Sequence, residues 1–60
     1  MKKVSFLYNY IKRECAVLKH TTSKEVRAVM LHGIYKAAYE YVKNGGKRDI
    51  DTIIKNAERG

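Results

Sequence analysis

Apolar residues recur along this chain at the three- and four-residue spacing of helix faces, and one segment carries the pattern twice. Between Thr22 and Asn44 a first stripe reads Val26, Val29, Met30, Gly33, Ile34, Ala37, Tyr41, stepping as a buried helix face must. A second stripe on the same segment reads Leu31, Tyr35, Ala38, Val42. Two stripes on one helix imply two packing partners. One can be the rest of the chain, whose third helix can cover part of a stripe, and the other a second copy or another protein. The pattern predicts a helix over 23–44. Thr22 followed by Glu25 fits a capping box, in which the hydroxyl accepts from an orphan amide and the carboxylate reaches back to the cap. Asn44-Gly45-Gly46 ends the helix, because glycine takes the left-handed C′ geometry without a Cβ clash. Some twenty residues at about 1.5 Å each give a rod of roughly 30 Å, the expected centre of the fold. Its polar strip is narrow, with Glu25, His32, Lys36 and Lys43 on it and Glu40 at the edge.

A second helix is predicted over 3–19. Val4, Leu7, Ile11, Cys15 and Leu18, flanked by Tyr8, form its main apolar face, and Phe6, Tyr10 and Val17 form a lesser stripe beside it. A third, over 50–59, opens with Asp49 as N-cap and Asp51 in its first turn, and gathers Ile50, Ile53, Ile54 and Ala57 on one face. No alternating run of β-branched and aromatic residues suggests a strand. Residues 1–60 therefore read as one all-α domain: a long antiparallel helical hairpin with a short third helix folded across it.

Size changes the picture. A domain of about 60 residues buries only about 60% of the surface its unfolded chain exposes, and such scaffolds add disulfides, a metal or oligomerisation. Cys15 is the only cysteine, so no internal disulfide forms. Cys15, His20 and His32 do not pair at a metal-ligand spacing, and neither a metal nor another cofactor is expected. Oligomerisation remains. The expected assembly is a homodimer through the first two helices, with Phe6, Tyr10, Val17, Leu31, Tyr35, Ala38 and Val42 as its interface. Gly33, with Ala37 four residues on and Ala38 adjacent, would let another helix axis come close.

The net charge of +7 is large for this length. Residues 1–48 carry eleven Lys or Arg against three acids, and the last twelve carry two against three. Such a balance favours solubility and anionic partners, whether nucleic acid or an acidic protein. Lys2, Lys3, Lys12, Arg13 and Lys19, with Tyr8 and Tyr10, make the best basic–aromatic grouping, suited to phosphate contact with stacking on tyrosine. A helix-turn-helix across 44–47 is disfavoured, because its recognition helix would present Asp49 and Asp51 to the duplex.

Catalytic chemistry finds no constellation. The glutamates are scattered, Cys15 lies on an apolar face where a thiol acts as a small hydrophobe, and Gly45-Gly46 precedes an acidic helix start rather than cradling phosphate. No signal peptide or membrane span of about 20 apolar residues is read, so a cytoplasmic protein with no membrane or small-molecule partner is expected. The function these features suggest is a non-catalytic regulator or adaptor that self-associates and binds another protein to modulate it. In size and charge it is similar, generically and without a shared motif, to phage- or plasmid-type inhibitors. The alternatives are a nucleic-acid-binding regulator using the basic face of the first helix, and a structural assembly subunit.

Overall fold

The computed structural model describes residues 2–59, with Lys2 by its backbone only, and contains three helices: α1 Lys2–Lys19, α2 Lys24–Lys43 and α3 Ile50–Arg59. Among the described residues there is no strand. All three helices lie within a residue of the bounds their periodicity predicts.

The link between α1 and α2 is short and internally bonded. The amides of His20 and Thr21 donate to Val17 O and Leu18 O at 3.0 and 3.1 Å, and the Thr21 hydroxyl donates back to Val17 O at 2.8 Å. The expected cap at Thr22 is displaced by one position. Ser23 has the extended backbone of an N-cap (φ −70°, ψ 123°), and its Oγ accepts from the Val26 amide at 3.4 Å. A cap requires extended backbone immediately before the first helical residue, and adjacent hydroxyls compete for that place.

The far end of α2 closes as a Schellman motif. Gly45, at φ +89°, occupies the left-handed position. Its amide donates to Val42 O at 3.0 Å, and that of Gly46 donates to Tyr41 O at 2.9 Å. Gly46 lies against the Tyr41 ring so closely that a Cβ there would overlap it. The Tyr41 hydroxyl in turn accepts from the Arg48 amide at 2.9 Å, so one buried tyrosine sets the path into α3. Asp49 then caps α3, its carboxylate accepting from the Thr52 amide at 3.2 Å and the Thr52 hydroxyl at 2.7 Å.

Leu18 lies near Arg27, and Tyr8 near Tyr41, so α1 and α2 run antiparallel. The core combines Ile11, Cys15 and Leu18 of α1 with Ile34, Ala37 and Tyr41 of α2 and Ile50, Ile54 and Ala57 of α3. The middle element is α1, not α2 as its length suggests. Both other helices pack on α1 and hardly touch each other. The apolar arc of α1 is wide enough for two neighbours, from Leu7 and Leu18 on one side to Tyr8 and Cys15 on the other.

The first stripe of α2 is accordingly narrower than expected. Val29 is 74% exposed and Val26 about half exposed. Val29 points some 140° round the helix from Ile34, beyond the arc that α1 covers.

The place nearest the α1 and α3 ends is taken by Arg27. One guanidinium nitrogen donates to Leu18 O at 2.8 Å and Thr21 O at 3.1 Å, and the other to Glu58 O at 3.1 Å and Ala57 O at 3.4 Å. These carbonyls belong to the carboxyl ends of α1 and α3 and to the turn that follows α1. Helix ends of that kind carry unsatisfied acceptors and partial negative charge. A planar fork with five donors suits the position, and one cation ties all three helices together.

Candidate binding surfaces

Three surfaces remain on this frame. The first is a cleft of about 390 Å³ beside α1, lined by Val4, Ser5, Tyr8, Asn9, Lys12, Tyr41 and Arg48. Tyr8 is half-buried and its ring sits 6.0 Å from that of Tyr41. Two cations are held over it, Lys12 Nζ at 5.4 Å and the Arg48 guanidinium carbon at 4.9 Å from the centroid, within the reach of a cation–π attraction. Among the described residues no carboxylate lines this cleft. Lys12 also borders a smaller hollow of about 210 Å³ between α1 and α3, with Cys15, Ala16, Lys19, Ile53 and Asn56. The nearby Asp49 carboxylate is engaged by Thr52, which holds its pKa below the ordinary carboxylate value.

The second surface is a groove of about 310 Å³ between α1 and α2, lined by Phe6, Leu7, Tyr10, Gly33, Lys36, Ala37 and Glu40. Phe6 is 65% exposed. Val17 lies on the same face of α1 as Phe6, and Val26 and Val29 on the same face of α2 as Gly33, and all three are exposed. Among the described residues outside its own helix turn, a Cβ at Gly33 would meet the Tyr10 hydroxyl at 3.6 Å, an ordinary contact. A methyl group would fit there without disturbing the chain.

The third surface is the opposite flank of α2, where Tyr35, Tyr39 and Val42 are exposed and Lys43 Nζ lies 5.9 Å from the Tyr39 centroid.

The residues expected in one self-association interface are thus divided. Phe6 and Tyr10 line the α1–α2 groove and Val17 shares their face of α1, whereas Leu31, Tyr35, Ala38 and Val42 lie on the other flank of α2. Tyr10, Leu31 and Ala38 are partly buried against the chain's own core, which leaves Phe6, Val17, Tyr35 and Val42 as the exposed members.

The expected basic–aromatic grouping is divided as well. Lys12, Lys19 and Tyr8 line the hollows on the α3 side, Tyr10 lies in the groove, and Lys3 and Arg13 are exposed and line neither hollow. The side chain of Lys2 lies outside the described residues. Arg48 joins the cleft from the α2–α3 link. The nearest sequence signal for it is the buried Tyr41, whose hydroxyl fixes the Arg48 backbone.

Cys15 is buried at the α1–α3 contact, and burial, with Glu14 beside it, pushes its thiol pKa up. His20 and His32 are exposed. Among the described residues no group of three His, Cys, Asp or Glu side chains is placed to hold a metal ion, and no helix is long and apolar enough to cross a membrane. Comparison of the chain with protein-family models, curated proteins and solved structures returns no match.

Proposed function

We propose that this chain is a non-catalytic helical regulator that self-associates through the α1–α2 groove and acts by binding another protein. The observation that carries the reading is Gly33. A glycine inside a helix costs about 0.8–1.0 kcal/mol relative to alanine, yet the chain's own packing leaves room for a methyl group at this position. The glycine makes sense if a second helix approaches closely there.

The groove also has the character of a self-complementary surface. Its lining is mostly apolar and includes one cation, Lys36, and one anion, Glu40. A two-fold axis brings each patch against its own copy, so Lys36 of one chain can meet Glu40 of the other. Val17, Val26 and Val29 extend the apolar area along the hairpin. A pair formed in this way leaves Tyr35, Tyr39 and Val42 facing outward, and tyrosines with wet tips suit a protein partner. The net charge directs that partner toward acidic surfaces.

The test is sedimentation equilibrium over a wide concentration range, with Gly33→Leu and Val29→Glu as variants. Val29 is exposed and Gly33 opens onto the groove, where an added side chain meets the Tyr10 hydroxyl rather than the core, so helicity should persist. The parent should sediment at twice the chain mass and both variants at the chain mass. A parent that stays monomeric at high concentration, or variants that remain dimeric, would overturn the reading.

A further inference from the structure

We propose that the cleft beside α1, together with the hollow that adjoins it between α1 and α3, binds the phosphodiester backbone of a single-stranded nucleic acid, with Arg48, Lys12 and Lys19 as its phosphate contacts. The surface is distinct from the apolar groove, and the proposal does not depend on self-association. It starts from an electrostatic imbalance. Lys12 and Arg48 are both held over the Tyr8 ring, so their charges lie within about 10 Å of each other, roughly a Debye length at 0.1 M salt. At that range salt does not screen them fully, and among the described residues no carboxylate in the cleft offsets the repulsion. An anion between them would.

The arrangement of the cations extends the argument from one phosphate to a chain of them. Lys12 is shared by the two adjoining hollows, and Lys19 lines the second. Lys12 and Lys19 are two helical turns apart, about 10 Å along α1. Arg48, Lys12 and Lys19 thus follow one concave path, with the neutral hydrogen-bonding groups of Ser5, Asn9 and Asn56 along it. A concave path admits a single strand, whereas a convex duplex would meet only its rim. Single-strand binders without sequence preference use such a charged groove.

Tyr8 differs from the usual stacking platform. Lys12, Arg48 and Tyr41 all engage its ring, so it positions the two cations rather than receiving a base. Recognition is therefore of the backbone, independent of sequence.

The experiment is an anisotropy titration of a labelled 20-mer, single-stranded and duplex, between about 50 and 200 mM salt. Three phosphate contacts to a single strand give a slope of log K against log salt near −2, at about 0.7 per contact. The double variant Lys12→Ala/Arg48→Ala keeps the Arg48 amide that bonds Tyr41, and its helical spectrum is checked first. It should flatten the slope to about −0.7 and weaken binding at least tenfold at 50 mM salt. Arg13→Ala/Lys43→Ala, which removes two cations outside the cleft, should leave both quantities unchanged.

Homopolymers of different bases should bind alike. The proposal is overturned by no binding at 50 mM salt, by equal losses in the two double variants, or by tighter binding of duplex than single strand. Displacement by polyglutamate as effective as by oligonucleotide of equal charge would also overturn it, and would assign the cleft to an acidic protein.

Discussion

Replacing Arg27 by methionine keeps an unbranched side chain of similar reach but removes the charge and every donor. Two helix carboxyl ends, and the turn after α1, lose their shared partner. The 2.8 and 3.1 Å bonds to Leu18, Thr21 and Glu58 carry most of the effect, and the 3.4 Å bond to Ala57 contributes little. A hydrogen bond to a charged group contributes about 1.5–3 kcal/mol net, but freed carbonyls at a half-exposed site recover part of that from water. The favourable placement of a cation at two helix ends adds about 0.3–1 kcal/mol for each end. The expected loss is about 3 kcal/mol, against a total stability of only about 3–9 kcal/mol for some 60 residues. At about 4–8 °C per kcal/mol, Tm should fall by about 12–24 °C. Thermal and urea unfolding followed by circular dichroism at 222 nm measure this directly. Arg27→Lys should recover less than half of the loss, because a point ammonium cannot bridge both helix ends with a planar fork. Unfolding of Arg27→Met within 0.5 kcal/mol of the parent, or Arg27→Lys equal to the parent, would refute the reasoning.

The two glycines after α2 should fail for different reasons. Gly45→Ala pays only for a left-handed backbone, about 1–2 kcal/mol, whereas Gly46→Ala meets the Tyr41 ring and should be partly rescued by Tyr41→Leu; denaturant midpoints of the singles and the double decide this. Ser23→Ala should destabilise by about 1 kcal/mol and Thr22→Ala by much less, as read from paired urea titrations. Asp49 titrates lower in the folded chain than in the unfolded one. Its contribution is therefore present above the unfolded carboxylate value and disappears as pH falls through the folded one. Acid unfolding midpoints should show Asp49→Asn losing part of the parent's dependence below about pH 4, and parallel curves for the two proteins would rule out that contribution.

Helix existence and type were legible in the chain because the apolar spacing and the glycine and aspartate stops agreed with one another. The reading failed where one physical signal supports two placements. Thr22 and Ser23 are equally good caps as residue types, and only the backbone entering α2 distinguishes them. Val29 belongs to a plausible stripe on a helical wheel, but how wide an arc is covered depends on how α1 and α3 sit around it. Arg27 shows the deeper difficulty. Patterning sends a charged residue to the surface, yet the carboxyl ends of two helices create a partly buried place that favours a cation. Those ends meet only after folding, so no local spacing reports them. The cleft was half legible: Lys12, Lys19 and Tyr8 share an α1 face, but Arg48 is brought to it by the Tyr41 hydroxyl from across a turn.

The position of α1 between two neighbours that hardly touch each other has a consequence for how the molecule opens. The α1–α2 hairpin can zip from its turn, where contacts such as Arg27 to Leu18 are close in sequence and form early and cheaply. By contrast, α3 is held to α1 over a long separation and is fastened at its two ends, by Arg27 at Ala57 and Glu58 and by Tyr41 at Arg48. Its detachment is a sub-global event, and the amides of α3 should exchange with solvent before those in the middle of the hairpin. The hollow that Lys12 and Lys19 share with Ile53 and Asn56 exists only while α3 is docked. Any anion that spans α1 and α3 therefore binds the closed form alone, and its occupancy can be followed as slowed amide exchange in a helix whose own backbone it need not touch.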